Sequence, residues 1–231
     1  MSGGEATPID AYLEVGAKRT FGGAIEWPGW CRAGRDDAAA LEALSDYAPR
    51  YGAVLQVVGL GFAGRAHPVA FNVVERLSGD ATTDFGAPGR SPSSDSRPPS
   101  EADLSRLRTV LEACWAAFDR AVEMAAGVEL RKGPRGGGRE LEAIVDHVLG
   151  AEAGYLSRLS WKAPITDSRD RHEALVQTRA AVLDAVDAAA HGQVPRQGPR
   201  GGSRWSARYF VRRTAWHVLD HACEIEDRTT S

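Results

Sequence analysis

A Pro/Ser/Arg-rich segment, residues 88–100, divides the sequence into two parts with different hydrophobic patterns. Before it, short runs alternate apolar and polar residues, which is typical of strands. After it, apolar residues recur every three or four positions, which is typical of amphipathic helices. Because the composition and the period change at the same place, we expect an α+β chain with domains at residues 1–86 and 101–231. Residues 87–100 would be a flexible linker or a long surface loop.

The first part predicts a small α/β domain. A hairpin is expected from residues 11–16 and 19–27, and a helix over residues 36–48. Two later strands are expected at residues 55–58 and 71–77. These patterns indicate one helix among several short strands.

The second part predicts four helices of comparable length, each with an apolar stripe at helical spacing. They are expected at residues 101–126, 139–159, 170–190 and 205–227. Stripes of this kind normally face a core, and four of them predict a four-helix bundle.

Three histidines on two of these helices are candidate metal ligands. His217 and His221 are four residues apart, so both rings lie on one face of the last helix. His147 lies on the second helix of the bundle. Three imidazoles leave a metal position open, as in catalytic sites. The alternative is that each ring lies in the core and is satisfied by a carbonyl or a hydroxyl.

Two similar Gly/Arg-rich segments, residues 131–139 and 196–204, precede the histidine-bearing helices. Glycine-rich backbone and arginine at the start of a helix can receive an anion. Arg135, Arg139 and Arg200 are therefore candidate substrate-binding residues. The alternative is that both segments are solvated loops.

Charge and cysteine content exclude several classes of protein. The net charge is −3, so no overall basic field indicates a nucleic-acid or membrane partner. Neither a signal peptide nor an apolar run of the roughly 18–20 residues needed to span a bilayer is present, so we expect a cytoplasmic protein. The 3 cysteines lack CxxC spacing and predict neither a disulfide framework nor a cysteine zinc site.

The histidine pattern resembles that of a known superfamily. The matching stretches are IVDHVL at residues 144–149 and AWHVLDH at residues 215–221. A four-helix bundle with one histidine on its second helix and His-x-x-x-His on its fourth resembles the DinB-like superfamily. That superfamily includes metal-dependent thiol transferases and maleylpyruvate isomerases that use mycothiol or bacillithiol. The resemblance implies that His147, His217 and His221 bind a divalent ion, with zinc expected first and nickel, manganese or iron as alternatives.

The N-terminal part resembles another family. PGWCRAG at residues 28–34, followed by Ala40, Leu41 and Leu44, is similar to the HicB-like small α/β domain. Neither a ribbon-helix-helix nor a helix-turn-helix module accompanies it. The resemblance implies a partner-recognition module without the DNA-binding half of typical antitoxins.

Two classes of function follow from these patterns. One is a metal-dependent transferase or isomerase in which the ion activates a low-molecular-weight thiol such as mycothiol as cosubstrate. The other is a binding or regulatory protein with a HicB-like recognition module, and metal-dependent hydrolysis at the same triad stays open. The expected partner is a small-molecule substrate, and a homodimer is left open. Glu224 and Glu152 could orient a ligand ring or move a proton, although helix carboxylates are more often solvated.

Overall fold

The computed structural model of the chain describes residues 7–62, 64, 68–132, 138–165, 170–195, 197–198, 202 and 204–229. The chain forms two compact units, Met1–Ser96 and Arg97–Ser231. It contains both helices and a mixed sheet, so its fold class is α+β. The division between the units falls within residues 87–100, the segment predicted to be a linker or a surface loop.

The first unit is built on a four-stranded sheet with the strand order β3-β2-β1-β4. Its elements are β1 (Ile9–Val15), β2 (Thr20–Ala24), β3 (Cys31–Gly34), α1 (Asp37–Gln56), β4 (Phe71–Ser78) and the short helix α2 (Ala81–Phe85). Strand β2 pairs antiparallel with β1 and β3, while β4 pairs parallel with β1. The hairpin and the last strand predicted from the sequence are therefore confirmed.

Helix α1 is longer than the sequence pattern predicts. Its start is capped by Asp36, whose side chain accepts a hydrogen bond from the Ala39 amide. The helix continues past Pro49 because Tyr51 and Leu55 extend its buried face. The strand predicted at residues 55–58 is wrong, since these residues form the last turn of α1 and the turn after it. A short apolar run is ambiguous between a strand and a buried helix end.

Strand β3 was not predicted, and a glycine explains how it fits beneath α1. A Cβ atom added to Gly34 would lie 2.2 Å from the backbone nitrogen of Ala40 in α1. Only glycine permits this approach of the two backbones. Nearby, Trp30 is buried, stacks on Tyr51 and donates a hydrogen bond to the Leu44 carbonyl at 2.8 Å. The strand and the helix are therefore held together by backbone contact as well as by aromatic packing.

A buried carboxylate fixes the chain after β4. Glu14 in β1 is completely buried and accepts hydrogen bonds from the amides of Gly89 and Arg90 at 2.9 and 3.0 Å. The hydroxyl of Thr83 donates a further hydrogen bond to it. Because these donors satisfy the carboxylate, part of the segment that was predicted to be a linker or loop is attached to the first unit.

The described part of the second unit contains four α-helices. They are α3 (Glu101–Ala125), α4 (Leu141–Leu156), α5 (Arg171–Ala190) and α6 (Ala207–Thr229). All four predicted helices are confirmed to within a few residues at each end. Helix α3 packs mainly on α6, and α4 packs on α5 and α6. Across the described ranges, no helix is both long enough and apolar enough to cross a membrane.

Candidate metal centre

Helices α4 and α6 bring three histidines together. His147 comes from α4, and His217 and His221 come from α6. Each contributes a ring nitrogen, and these atoms lie within 4.8 Å of one another. His217 and His221 are 6% and 9% exposed, and His147 is partly buried. The three residues predicted to be metal ligands are therefore neighbours in the structure.

The two histidines of α6 are neighbours because of the helix itself. His217 and His221 are one turn apart, and their ring centroids are separated by 4.7 Å. The face they share also carries Phe210, Val218 and Ile225, which are fully buried. Two imidazoles thus occupy positions that would suit apolar side chains, where a polar ring without a partner costs free energy.

A salt bridge next to the third histidine ties α4 to α5. Arg171 at the start of α5 donates two hydrogen bonds to Asp146, at 2.6 and 3.0 Å. The guanidinium lowers the pKa of the Asp146 carboxyl through these hydrogen bonds. Because His147 follows Asp146 directly, this pair helps to fix the part of α4 that presents the histidine.

Burial and nearby cations keep the imidazoles of His147 and His217 neutral. Burial, together with His221 and the charge of Arg213, lowers the pKa of His217 to about 2. Burial and the charge of Arg139 also lower the pKa of His147. Neutral imidazole is the form that binds a metal ion. At neutral pH the lone pairs of these two rings are therefore free of competing protons.

The third ring is oriented by a carboxylate. Nδ1 of His221 lies 2.8 Å from Oε2 of Glu224, and Oε1 of Glu224 accepts a hydrogen bond from Arg228 at 3.0 Å. The hydrogen bond with His221 lowers the pKa of Glu224, so this carboxylate is ionised at neutral pH. In the Nδ1–H form of the ring, the ionised carboxylate would accept this hydrogen, and the lone pair of Nε2 would be available to an ion. This carboxylate–histidine arrangement is typical of metal ligands.

The separation of two of the ring nitrogens, those of His147 and His217, fits one divalent ion. Nε2 of His217 lies 3.2 Å from Nε2 of His147. Two nitrogens at zinc–nitrogen bond lengths of about 2.0–2.1 Å and at this separation would subtend an angle of about 100° at the ion, close to a tetrahedral angle. In addition, Nδ1 of His217 is buried and has no hydrogen-bond partner within the described chain. Bonding at Nε2 would offset part of the cost of burying this ring.

Of the three predicted arginines, only Arg139 lies within the described residues. Arg135 and Arg200 lie outside the described residues. Arg139 is exposed at the start of α4, and its charge acts on His147 and His217. Its backbone carbonyl accepts a hydrogen bond from Arg228 at 2.8 Å. Arg139 is thus the one residue of this group whose charge the structure relates to the histidines.

Of the two candidate carboxylates, only Glu224 touches the histidines in the described contacts. Glu152 is completely buried and accepts a hydrogen bond from the Trp115 indole. Burial raises the pKa of Glu152 to about 7. It therefore belongs to the bundle core beside α3, and orientation of a ligand ring falls to Glu224.

Several aromatic rings lie close to His217. The sequence analysis did not predict that these rings would lie beside the histidines. The ring of Tyr155 lies 5.8 Å from that of His217 and 5.3 Å from that of Trp205. Arg213 lies over the rings of Tyr155 and Trp216. The sequence did contain a signal for Arg213, because a residue four positions before His217 lies on the same face of the helix.

Comparison with known proteins adds no relative to this description. No family model, no curated protein and no solved structure matches the chain.

Proposed function

We propose that the second unit is a DinB-like bundle that binds a divalent metal ion, zinc first, through His147, His217 and His221. The function is a metal-dependent transferase or isomerase that uses a low-molecular-weight thiol such as mycothiol. The observation that carries this proposal is the 3.2 Å separation of the Nε2 atoms of His147 and His217, beside the carboxylate-bound His221. The resemblance of residues 144–149 and 215–221 to DinB-like sequences supports the choice of a thiol.

The residues around the proposed metal site would have different roles. An ion bound to the three imidazoles would supply a positive charge that keeps a thiol ionised at neutral pH. Glu224 would hold the hydrogen of His221 on Nδ1, which leaves Nε2 to bind the ion. The buried face of α6 and the ring of Tyr155 exclude water from one side of the site.

The proposed reaction is a nucleophilic attack by the thiol sulfur on the substrate. The thiol proton passes to solvent, and the sulfur forms a bond to an electrophilic carbon of the substrate. The electron pair of the bond that breaks leaves with the departing group, or moves into the substrate in an addition. In an isomerisation the same sulfur–carbon bond breaks again. Arg139 would bind an anionic group of either reactant, and Arg135 and Arg200 are proposed for the same role from the loops that contain them.

The first unit is proposed to be a HicB-like module. A strand, β3, follows the Pro28-Gly29 turn and ends at Gly34, and α1 then packs its Ala40 against that glycine. This sequence of elements supports the resemblance. In the protein, the unit would recognise a partner while the metal centre carries the chemistry.

Metal analysis of the natively purified protein is the first test. We expect about one divalent ion per chain in the wild type and a loss of that ion in His217→Ala. The matched control is His191→Ala, because His191 is exposed and is bound to Glu101 and to the Asp187 carbonyl away from the triad. A wild-type protein that binds no metal would contradict the proposal.

A thiol-consumption assay is the second test. Metal-loaded protein is assayed with mycothiol, bacillithiol and glutathione against a panel of electrophiles. Turnover that depends on one thiol and disappears in His217→Ala supports the transferase or isomerase. Full metal occupancy without thiol dependence would favour a hydrolase. Folded protein without metal would favour the binding or regulatory function.

A further inference from the structure

Arg213 lies one helical turn from the histidine triad and is held by aromatic rings. Its Cζ atom is 4.6 Å from the centre of the Trp216 ring and 5.5 Å from the centre of the Tyr155 ring. The Tyr155 ring is in turn 5.8 Å from the ring of His217. The guanidinium is therefore fixed next to the candidate metal centre, with the rings of Tyr155 and Trp216 on its sides.

The guanidinium of Arg213 lacks the partner that other arginines of this bundle have. Several helix arginines of the second unit pair with aspartates: Arg108 with Asp187, Arg171 with Asp146, Arg179 with Asp119 and Arg208 with Asp103. For Arg213, no ion pair is found within the described residues. Its Nη1 atom is buried and has no hydrogen-bond partner there. Arg213 as a whole is half-buried, but a buried guanidinium N–H without an acceptor is costly unless a ligand or a water molecule supplies one.

We propose that Arg213 binds a carboxylate of the molecule that occupies the metal centre. A guanidinium presents its donors in a planar fork that matches the two oxygens of a carboxylate. One helical turn is about 5.4 Å, so the carboxylate would lie a few bonds away from the reacting sulfur or carbon. This inference rests on the metal site proposed above, and it identifies the bound molecule as a small organic acid.

The position of the positive charge of Arg213 agrees with this assignment. The charge acts on His217, which belongs to the triad, and on Tyr155, which lies beside it. The charge of Arg139 acts on His147 from the start of α4. Among the described residues, the carboxylate that contacts the triad is that of Glu224, and it is already bound to His221 and Arg228. The positive charges of Arg213 and Arg139 beside the triad therefore favour binding of an anion.

Binding calorimetry with matched thiols tests the inference without relying on turnover. The probes are 3-mercaptopropionate and its neutral amide, 3-mercaptopropionamide, titrated into zinc-loaded full-length protein. We expect the carboxylate to bind about tenfold more tightly or better, since a hydrogen bond to a charged group contributes on this scale. The preference should disappear in Arg213→Met and be partly retained in Arg213→Lys, which keeps the charge but loses the fork. Arg120→Met, an exposed arginine on α3, is the control and should keep the full preference.

A second titration identifies which of the two reactants, the thiol or the electrophile, carries the carboxylate. Propionate is titrated into the zinc-loaded protein saturated with 2-mercaptoethanol. Binding that depends on Arg213 assigns the carboxylate to a second molecule, the electrophile, and binding of 3-mercaptopropionate alone assigns it to the thiol. Equal affinities for the acid and the amide in the wild type, or a preference that survives in Arg213→Met, would overturn the inference.

Zinc content separates the two proposals. Zinc bound at the triad without any preference for the acid contradicts only the role of Arg213. A wild-type protein that binds no divalent metal ion contradicts the proposed function and the inference with it. If Arg213→Met does not fold, the comparison of the wild type with Arg213→Lys decides: a weaker preference for the acid in Arg213→Lys supports the inference, and an undiminished preference overturns it.

Discussion

The Nε2 atoms of His147 and His217 lie 3.2 Å apart although the two residues belong to different helices. Two neutral imidazoles at this separation share a hydrogen or share an ion. In the first case one ring must donate from Nε2, and its other nitrogen then carries no hydrogen. In the second case both lone pairs face the ion, and the remaining nitrogens carry the hydrogens. Only the second case uses the hydrogen bond from His221 to Glu224 to direct a third lone pair inward.

The carboxylate of Glu224 is expected to raise metal affinity through His221. In Glu224→Gln the uncharged amide oxygen is a weaker acceptor for Nδ1–H, so His221 becomes a poorer ligand. Metal affinity should fall about 10- to 100-fold, which is typical for loss of such a partner. A competition titration with a zinc chelator measures this change. Glu123→Gln, at an exposed position on α3, is the control. Unchanged zinc affinity in Glu224→Gln would contradict the proposed orientation of His221.

The metal ion is expected to stabilise the second unit. The triad places two buried rings in the bundle, and an ion that binds only the folded state adds stability by mass action. At a free ion concentration of 100 times the Kd this amounts to about 2.7 kcal/mol. Differential scanning calorimetry before and after chelation should show a decrease in Tm of about 5–10 °C. The same chelator should leave the Tm of His217→Ala unchanged. A stoichiometric metal whose removal does not alter the wild-type Tm would argue against this role.

The spacing of the histidines along the helices identified which of them lie together, but not the distances between their rings. The i, i+4 relation of His217 and His221 is a property of any helix, and the stripe on α4 limits the directions in which His147 can face. The distance between the rings depends on how α4 packs on α6, which no local pattern contains. The proposed role of Arg213 likewise depends on a contact between helices, because Tyr155 belongs to α4 and Arg213 to α6.

In the first unit, the elements that the sequence analysis missed or predicted wrongly depend on tertiary contacts. Strand β3 has four residues, and it is a strand because of its pairing with β2, which local alternation cannot reveal. Residues 55–58 look like a strand in isolation, but Leu55 is buried on the face of α1 together with Tyr51. Helical packing against the sheet therefore overrides the local preference.

Gly34 is expected to be essential for the first unit. In Gly34→Ala the new methyl group would lie 2.2 Å from the Ala40 backbone nitrogen, so β3 and α1 would have to separate. Such overpacking costs about 1–3 kcal/mol or more. Urea unfolding followed by circular dichroism measures the loss. Gly61→Ala is the matched control, because a Cβ atom at Gly61 meets nothing within 4 Å. Equal stability of the two variants would contradict the close approach of β3 and α1.

The second unit is expected to fold without the first. Its helices have their own buried core, and α3 begins with a capping box between Ser100 and Asp103. A fragment of residues 97–231, extended by a short N-terminal tag, should unfold cooperatively and bind zinc with the affinity of the full chain. Thermal denaturation and a zinc titration test this. A fragment that is helical but lacks a cooperative transition would show that residues 101–231 do not form an independent domain.

The last prediction concerns the stability of the bundle as a function of pH. Burial raises the pKa of Glu152 to about 7, from a value of 4.5 in the unfolded chain. The folded state therefore prefers the protonated carboxyl, and this contribution is fully present below pH 4.5 and is lost as the pH rises through 7. In Glu152→Gln the side chain stays neutral and can still accept the hydrogen bond from Trp115. Between pH 5 and 8 the wild type should thus lose stability relative to Glu152→Gln by on the order of 1–3 kcal/mol. Urea unfolding of both proteins, with chelator present to separate this effect from metal binding, measures the difference. A stability difference that is independent of pH would mean that Glu152 is already ionised at pH 5 in the folded protein.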